Sequence, residues 1–142
     1  MRTKDNTNAF LVFEQASLRA VIRNDLPPTS EADIQKLLRQ VEVAGVKERS
    51  IFDKAFFTIY YYQTEVQHAR SIPDGIYGAM QALVPGLDIS IGFGLTIDDG
   101  LIISFEGYTY GEPWPRNLSR FELVHLIPTE DGGNRLPKAS WE

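Results

Sequence analysis

The sequence predicts an α+β fold in one domain, with N-terminal helices packed on a C-terminal antiparallel sheet. Three observations carry that expectation. Apolar residues recur at helical spacing through the first half of the chain. Strand-like alternation is concentrated after Leu87. The two patterns follow one another rather than interleave, which separates α+β from α/β. A chain of 142 residues is long enough to bury roughly two-thirds of its unfolded surface in one core. The boundaries read from these patterns are helical 9–84, sheet 87–127 around the hairpin 87–107, and an irregular tail 128–142.

In chain order, Met1–Asn8 is polar and expected to fray. From Ala9 to Asn24, Phe10, Leu11, Phe13, Leu18, Val21 and Ile22 fit a helix, which Pro27-Pro28 ends. Ser30-Glu31-Ala32-Asp33 has capping-box form, and Ile34, Leu37, Leu38 and Val41 follow on one helical face, with Gly45 as C-cap. The start signal recurs at Ser50–Asp53, and Ile51, Ala55, Ile59, Tyr62, Val66 and Ala69 share one helical stripe. A strand through FFTIYYYQTEV competes on aromatic and β-branched content. Neighbouring apolar residues, Phe56-Phe57 and Tyr60-Tyr61-Tyr62, break strict alternation and favour a long helix over 51–69. Ser71-Ile72-Pro73-Asp74 opens a shorter helix carrying Ile76, Met80 and Leu83, stopped by Pro85-Gly86.

The stretch from Leu87 reads as a hairpin. Leu87, Ile89, Ile91, Phe93, Leu95 and Ile97 alternate with small or polar residues, Asp98-Asp99-Gly100 turns the chain, and LIISFEG returns. A two-residue loop would pair Asp98 with Leu101 and put a carboxylate on the apolar face. A three-residue loop pairs Ile97 with Leu101, Leu95 with Ile103 and Phe93 with Phe105, and is the register expected. The opposite face carries Ser90, Gly92, Gly94, Thr96 and Ser104, and its glycines leave backbone open to something lying on it. Tyr108–Ser119 is a loop, Arg120–Ile127 a third strand, and Glu130–Asn134 a turn.

Composition excludes several classes of chemistry. There is no cysteine, hence no disulfide, zinc-thiolate site or thiol nucleophile. His68 and His125 have no second ligand at helical or strand spacing, and neither HExxH nor GxSxG occurs. Gly92-Phe93-Gly94 lacks the third glycine of a dinucleotide loop and sits inside a strand. The chain is therefore expected to be no enzyme, with no cofactor and no bound metal. Its start lacks the apolar core of a signal peptide, and no run reaches the roughly 18 apolar residues of a membrane span, so the expected location is cytoplasmic. Net charge is −5, and residues 98–142 carry four Lys/Arg against eight Asp/Glu. An acidic third argues against nucleic acid as ligand and suits a basic protein partner.

Glu106–Pro115, EGYTYGEPWP, interleaves three large aromatics with two carboxylates. Tyr and Trp bury large areas at interfaces with few rotatable bonds. The candidate partner-binding set is Asp98, Asp99, Glu106, Tyr108, Tyr110, Glu112 and Trp114; the competing use of these rings is to fold back and cap the core. This segment after an antiparallel hairpin, on a small acidic helix-then-sheet chain, resembles the immunity proteins of bacterial contact-dependent inhibition and polymorphic-toxin systems. The resemblance implies a non-enzymatic inhibitor of one cognate toxin domain, often a nuclease with a basic cleft. An intracellular adaptor or structural subunit using the same surface, and a small-ligand binder or enzyme with a site on the polar sheet face, are the other readings.

Overall fold

A computed structural model describes residues 3–142, with side chains from Asn8 onward. Helices α1 (Thr3–Asn24) and α2 (Glu31–Val43) come first. Nine strands follow: β1 (Gly45–Ile51), β2 (Ala55–Tyr61), β3 (Gly75–Tyr77), β4 (Gln81–Leu83), β5 (Ile91–Asp98), β6 (Leu101–Thr109), β7 (Glu122–Val124), β8 (Ile127–Pro128) and β9 (Asn134–Arg135). The α+β expectation holds. The main sheet is antiparallel in the order β1-β2-β6-β5-β4-β7, with β3 also pairing β5, and the predicted hairpin forms its centre.

Helix α1 begins inside the segment expected to fray; Met1 and Arg2 lie outside the described residues. The start of α2 is as read: Ser30 Oγ accepts the Asp33 N–H at 3.2 Å. Its C-cap is Ala44 rather than Gly45. Gly45 opens β1, where a Cβ would come within 2.5 Å of the Tyr61 ring.

The expected helix over 51–69 is instead the end of β1, the strand β2 and an irregular segment. Phe56 and Thr58 on β2 are fully buried under the helices, while Phe57, Ile59 and Tyr61 point to the other side. Alternation is missing from the sequence because both faces of β2 are apolar. The predicted helix over 71–84 is also overturned. Its residues form β3 and β4, two short strands along the same edge of β5. Gly78 between them lies so close to the Phe93 carbonyl that a Cβ would collide with it. The interruption frees the N–H groups of Ala79 and Met80, and Asp25 Oδ2 accepts both, at 2.8 and 2.9 Å. A small β8–β9 pair likewise replaces part of the irregular tail.

The hairpin register differs from the expected one. Asp98 does oppose Leu101, and the loop is the two-residue Asp99-Gly100, with φ of 52° and 70°. Both positive values match a type I′ turn. The apolar face survives through a bulge: Ile97 opposes Ile102, Thr96 opposes Ser104, and Ile103 is the extra residue. Leu95 then faces Phe105, while Phe93 faces Gly107 and stacks on Phe105 diagonally, ring centres 5.5 Å apart. Side chains from elsewhere satisfy the backbone at the bulge. Gln40 Oε1 accepts the Ile102 N–H at 2.9 Å, and Gln40 Nε2 donates to the Gly100 and Gln67 carbonyls. Tyr62 Oη donates to the Ile102 carbonyl at 2.8 Å.

The core lies between the two helices and the face carrying Ile91, Phe93, Leu95, Phe105 and Phe56. Phe10, Phe13, Phe56, Phe93, Phe105, Trp114 and Phe121 form one aromatic cluster within it, with most neighbouring rings edge-on. Beside the rings, Glu14 of α1 is fully buried and accepts from Arg49 Nη2 and Thr58 Oγ1, each at 2.5 Å. Burial first, and then the Glu14 charge, push the neighbouring Tyr60 phenol well above its ordinary range. No helix among the described residues is long and apolar enough to cross a membrane.

Candidate partner-binding face

Both helices cover one side of the sheet, leaving the other to its own side chains. Strand register places Phe57 and Ile59 of β2, Glu106 and Tyr108 of β6, and Ile76 of β3 on that outer side. Gly92 and Gly94 are not bare backbone, as their sequence pattern suggests. A Cβ at Gly92 would lie 2.5 Å from Tyr110 Oη and 2.7 Å from Tyr108 Cε1. One at Gly94 would lie 2.9 Å from Glu106 Oε1 and 3.3 Å from Ile76 Cγ2. The glycines are the floor on which two tyrosines, a carboxylate and an isoleucine are laid.

These side chains are held in place yet reach solvent. The Tyr108 and Tyr110 rings meet edge-on with centres 5.6 Å apart. Tyr110 Oη donates to Gln81 Oε1 at 3.1 Å, and Ser90 Oγ donates to the same oxygen at 2.6 Å. Tyr110 is 45% exposed and Ile76 68%, so an aromatic and an aliphatic anchor stand free beside the Glu106 carboxylate. Burial first, with smaller contributions from Tyr110 and Glu106, raises the Tyr108 phenol and keeps it neutral at physiological pH. A fixed ring loses little entropy when a partner covers it.

The seven candidate residues do not form one surface. Glu106, Tyr108 and Tyr110 share the outer face. Asp98 and Asp99 lie at the hairpin tip, about 23 Å along β6 from Tyr108. There Asp99 N–H donates to Asp74 Oδ1, His68 Nδ1 donates to the Asp99 carbonyl at 2.6 Å, and Arg70 Nε approaches Asp99 Oδ1 at 3.4 Å. Asp74, through charge and hydrogen bonding, raises the Asp98 carboxyl, with Asp99 adding to it. Glu112 accepts the N–H groups of Asp88 and Ile89, both at 2.9 Å, and so clamps the turn before β5. Trp114 turns to the helix side, against Phe56 at 5.5 Å and Phe13 at 6.4 Å, and caps the core. Sequence reading missed Phe57, Ile59 and Ile76, because it placed all three on helices. For Phe57 and Ile59 the signal was the crowding of apolar residues in FFTIYYY that defeated a one-sided pattern; Ile76, outside that run, carried none.

Much of the acidic surplus at the C-terminal end serves loops. Glu112, Glu122, Asp131 and Glu142 each accept a backbone N–H. Hydrogen bonds hold several carboxyls below their ordinary range: Ser71 for Asp33, the Asp88 N–H for Glu112, Ser140 for Glu122 and Thr129 for Asp131. A depressed folded-state value stabilises the fold above the unfolded pKa near 4, and that stability goes as pH falls through the folded value. Asp98, raised, acts with the opposite sign. The thermal midpoint, followed by circular dichroism, is therefore expected to be level between about pH 5 and 7 and to drop below about pH 4. Glu112→Gln should lower the midpoint at neutral pH and flatten that acid limb; an unchanged limb would show that the clamp contributes nothing.

Among the described residues no group of three or more His, Asp or Glu side chains is placed to hold a metal ion. No protein family, curated protein or solved structure matches the chain.

Proposed function

We propose that this chain is a non-enzymatic protein-binding module, acting as an immunity protein that neutralises a toxin domain docked on the outer face of its sheet. The observation that carries this reading is the pre-set cluster of Tyr108, Tyr110, Glu106 and Ile76, extended by Phe57 and Ile59, on a face that neither α1 nor α2 covers. Rigid aromatics surrounded by smaller contacts are what binding hot spots are built from. Outward positions of β2, β5 and β6 carry Glu106 and no Lys or Arg; on β1, Glu48 opposes Ile59, with the exposed Lys47 next to it at a bulge. A partner with basic groups around an apolar centre is complementary to that arrangement. The toxin assignment itself comes from the resemblance of EGYTYGEPWP and its hairpin to immunity proteins.

The test uses the product of the neighbouring gene as partner, first for growth rescue on co-expression and then for binding kinetics. Tyr110→Ala and Tyr108→Ala are expected to speed dissociation by about thirtyfold, a loss of about 2 kcal/mol, with the thermal midpoint nearly unchanged. Glu106→Gln should chiefly slow association and weaken its salt dependence. Glu112→Gln and Trp114→Ala should act on stability rather than on binding, since one clamps a turn and the other caps the core. Tight binding that survives both tyrosine substitutions would place the interface elsewhere.

A further inference from the structure

We propose that the groove between α1, the β1–β2 turn and the loop at 113–118 binds a small amphiphile, an apolar chain or ring ending in one carboxylate. It lies on the helix side of the sheet, so this inference stands apart from the partner-binding reading. The groove encloses about 700 Å³, within the size range of small-ligand sites. Phe10 and Trp114 line its inner part, and Ile51 and Phe52 stand at its rim, 55% and 57% exposed. Two large apolar side chains side by side in solvent make an exposed patch of the kind that marks ligand-binding grooves.

Two guanidinium groups supply the polar end. Arg49 gives Nε and Nη2 to Glu14, at 3.4 and 2.5 Å, and lies over the Phe10 ring at 5.6 Å. That fixes the group while its other N–H donors remain for a ligand in the groove it lines. Glu14 neutralises Arg49 from behind, so the net attraction falls to Arg116, which is exposed on the groove wall. Asp53, exposed on the same lining, sets a carboxylate against part of that charge, and its carbonyl accepts the Trp114 N–H at 2.7 Å. Oriented guanidinium donors on the lining of an apolar groove, with an exposed cation on the same lining, match a carboxylate on an apolar body. A cationic head would meet both guanidiniums.

The full chain carrying Trp141→Phe retains Trp114 as its single indole, in the wall of the groove. Its emission would be followed while titrating decanoate, decan-1-ol and decyltrimethylammonium, each below its aggregation concentration. Decanoate is expected to saturate at one equivalent, to bind about tenfold more tightly than the alcohol, and to raise the thermal midpoint; the alkylammonium should be weakest. Arg116→Gln, at an exposed position, should reduce decanoate to the affinity of the alcohol, and Phe52→Ser should weaken both. Equal affinity for the three heads, emission that never saturates, or a decanoate preference that survives Arg116→Gln would overturn the proposal.

Discussion

Phe56→Ala is expected to remove about 3–5 kcal/mol of stability, the range seen when a large buried aromatic is cut to a methyl group. Phe56 is fully buried and sits between the helices and the sheet. Its ring meets Phe10 at 5.0 Å, Phe13 at 6.5 Å, Phe105 at 5.8 Å and Trp114 at 5.5 Å. It also fills the space above Gly107, where a Cβ would lie only 2.5 Å from Phe56 Cε1. Deletion would therefore open a cavity walled by rings from α1, β6 and the 113–118 loop, which cannot all move inward together. Domains of this size have about 5–15 kcal/mol in total, so the loss is a large share, and a fall of about 10 °C or more in thermal midpoint should follow. Phe57→Ala is the control, because its ring points to the outer face and should cost less than half as much. Equal costs for the two would refute the division of β2 into a core side and a free side.

That division explains what sequence pattern could and could not reveal. Helix α2 was readable because its apolar residues occupy one stripe and its cap is local, Ser30 to Asp33. The hairpin was readable because one side of β5 and β6 is plainly apolar. Its register was not, because the bulge at Ile103 is stabilised from far along the chain by Gln40 and Tyr62. Residues 51–69 read as helix for a related reason: a strand with apolar side chains on both faces has no period of two to detect. Pro73, Gly75 and Gly78 could have argued against the second false helix, but the decisive fact, the Phe93 carbonyl against Gly78, is tertiary. Of the candidate site, Glu106, Tyr108 and Tyr110 were identifiable from aromatic and acidic interleaving. Nothing local distinguished them from Trp114, two residues past Glu112, since the choice between interface and core rests on which way the chain turns after β6.

Arg49→Met is expected to cost about 3–5 kcal/mol, as for other buried ion pairs that lose one partner. Glu14 is fully buried, and Arg49 supplies two of the donors to its carboxylate, Thr58 the third. Without the guanidinium the negative charge remains in the interior with one hydroxyl to balance it. Ser17 Oγ and Tyr60 Oη are already buried without a hydrogen-bond partner among the described residues, and Tyr60 is close enough to feel the Glu14 charge. The pair itself need not be a large net gain over an apolar core, because desolvating both ions offsets much of their attraction. Glu14→Leu combined with Arg49→Met should therefore return to within about 1–2 kcal/mol of the parent, leaving the Thr58 hydroxyl as the main residual cost. Urea unfolding of the parent, the two single variants and the double variant measures the coupling directly, provided the slopes agree. Additive losses in the double variant, or an Arg49→Met loss below about 1 kcal/mol, would mean that Glu14 is hydrated in solution and that α1 is not tied to β1 and β2 through its charge.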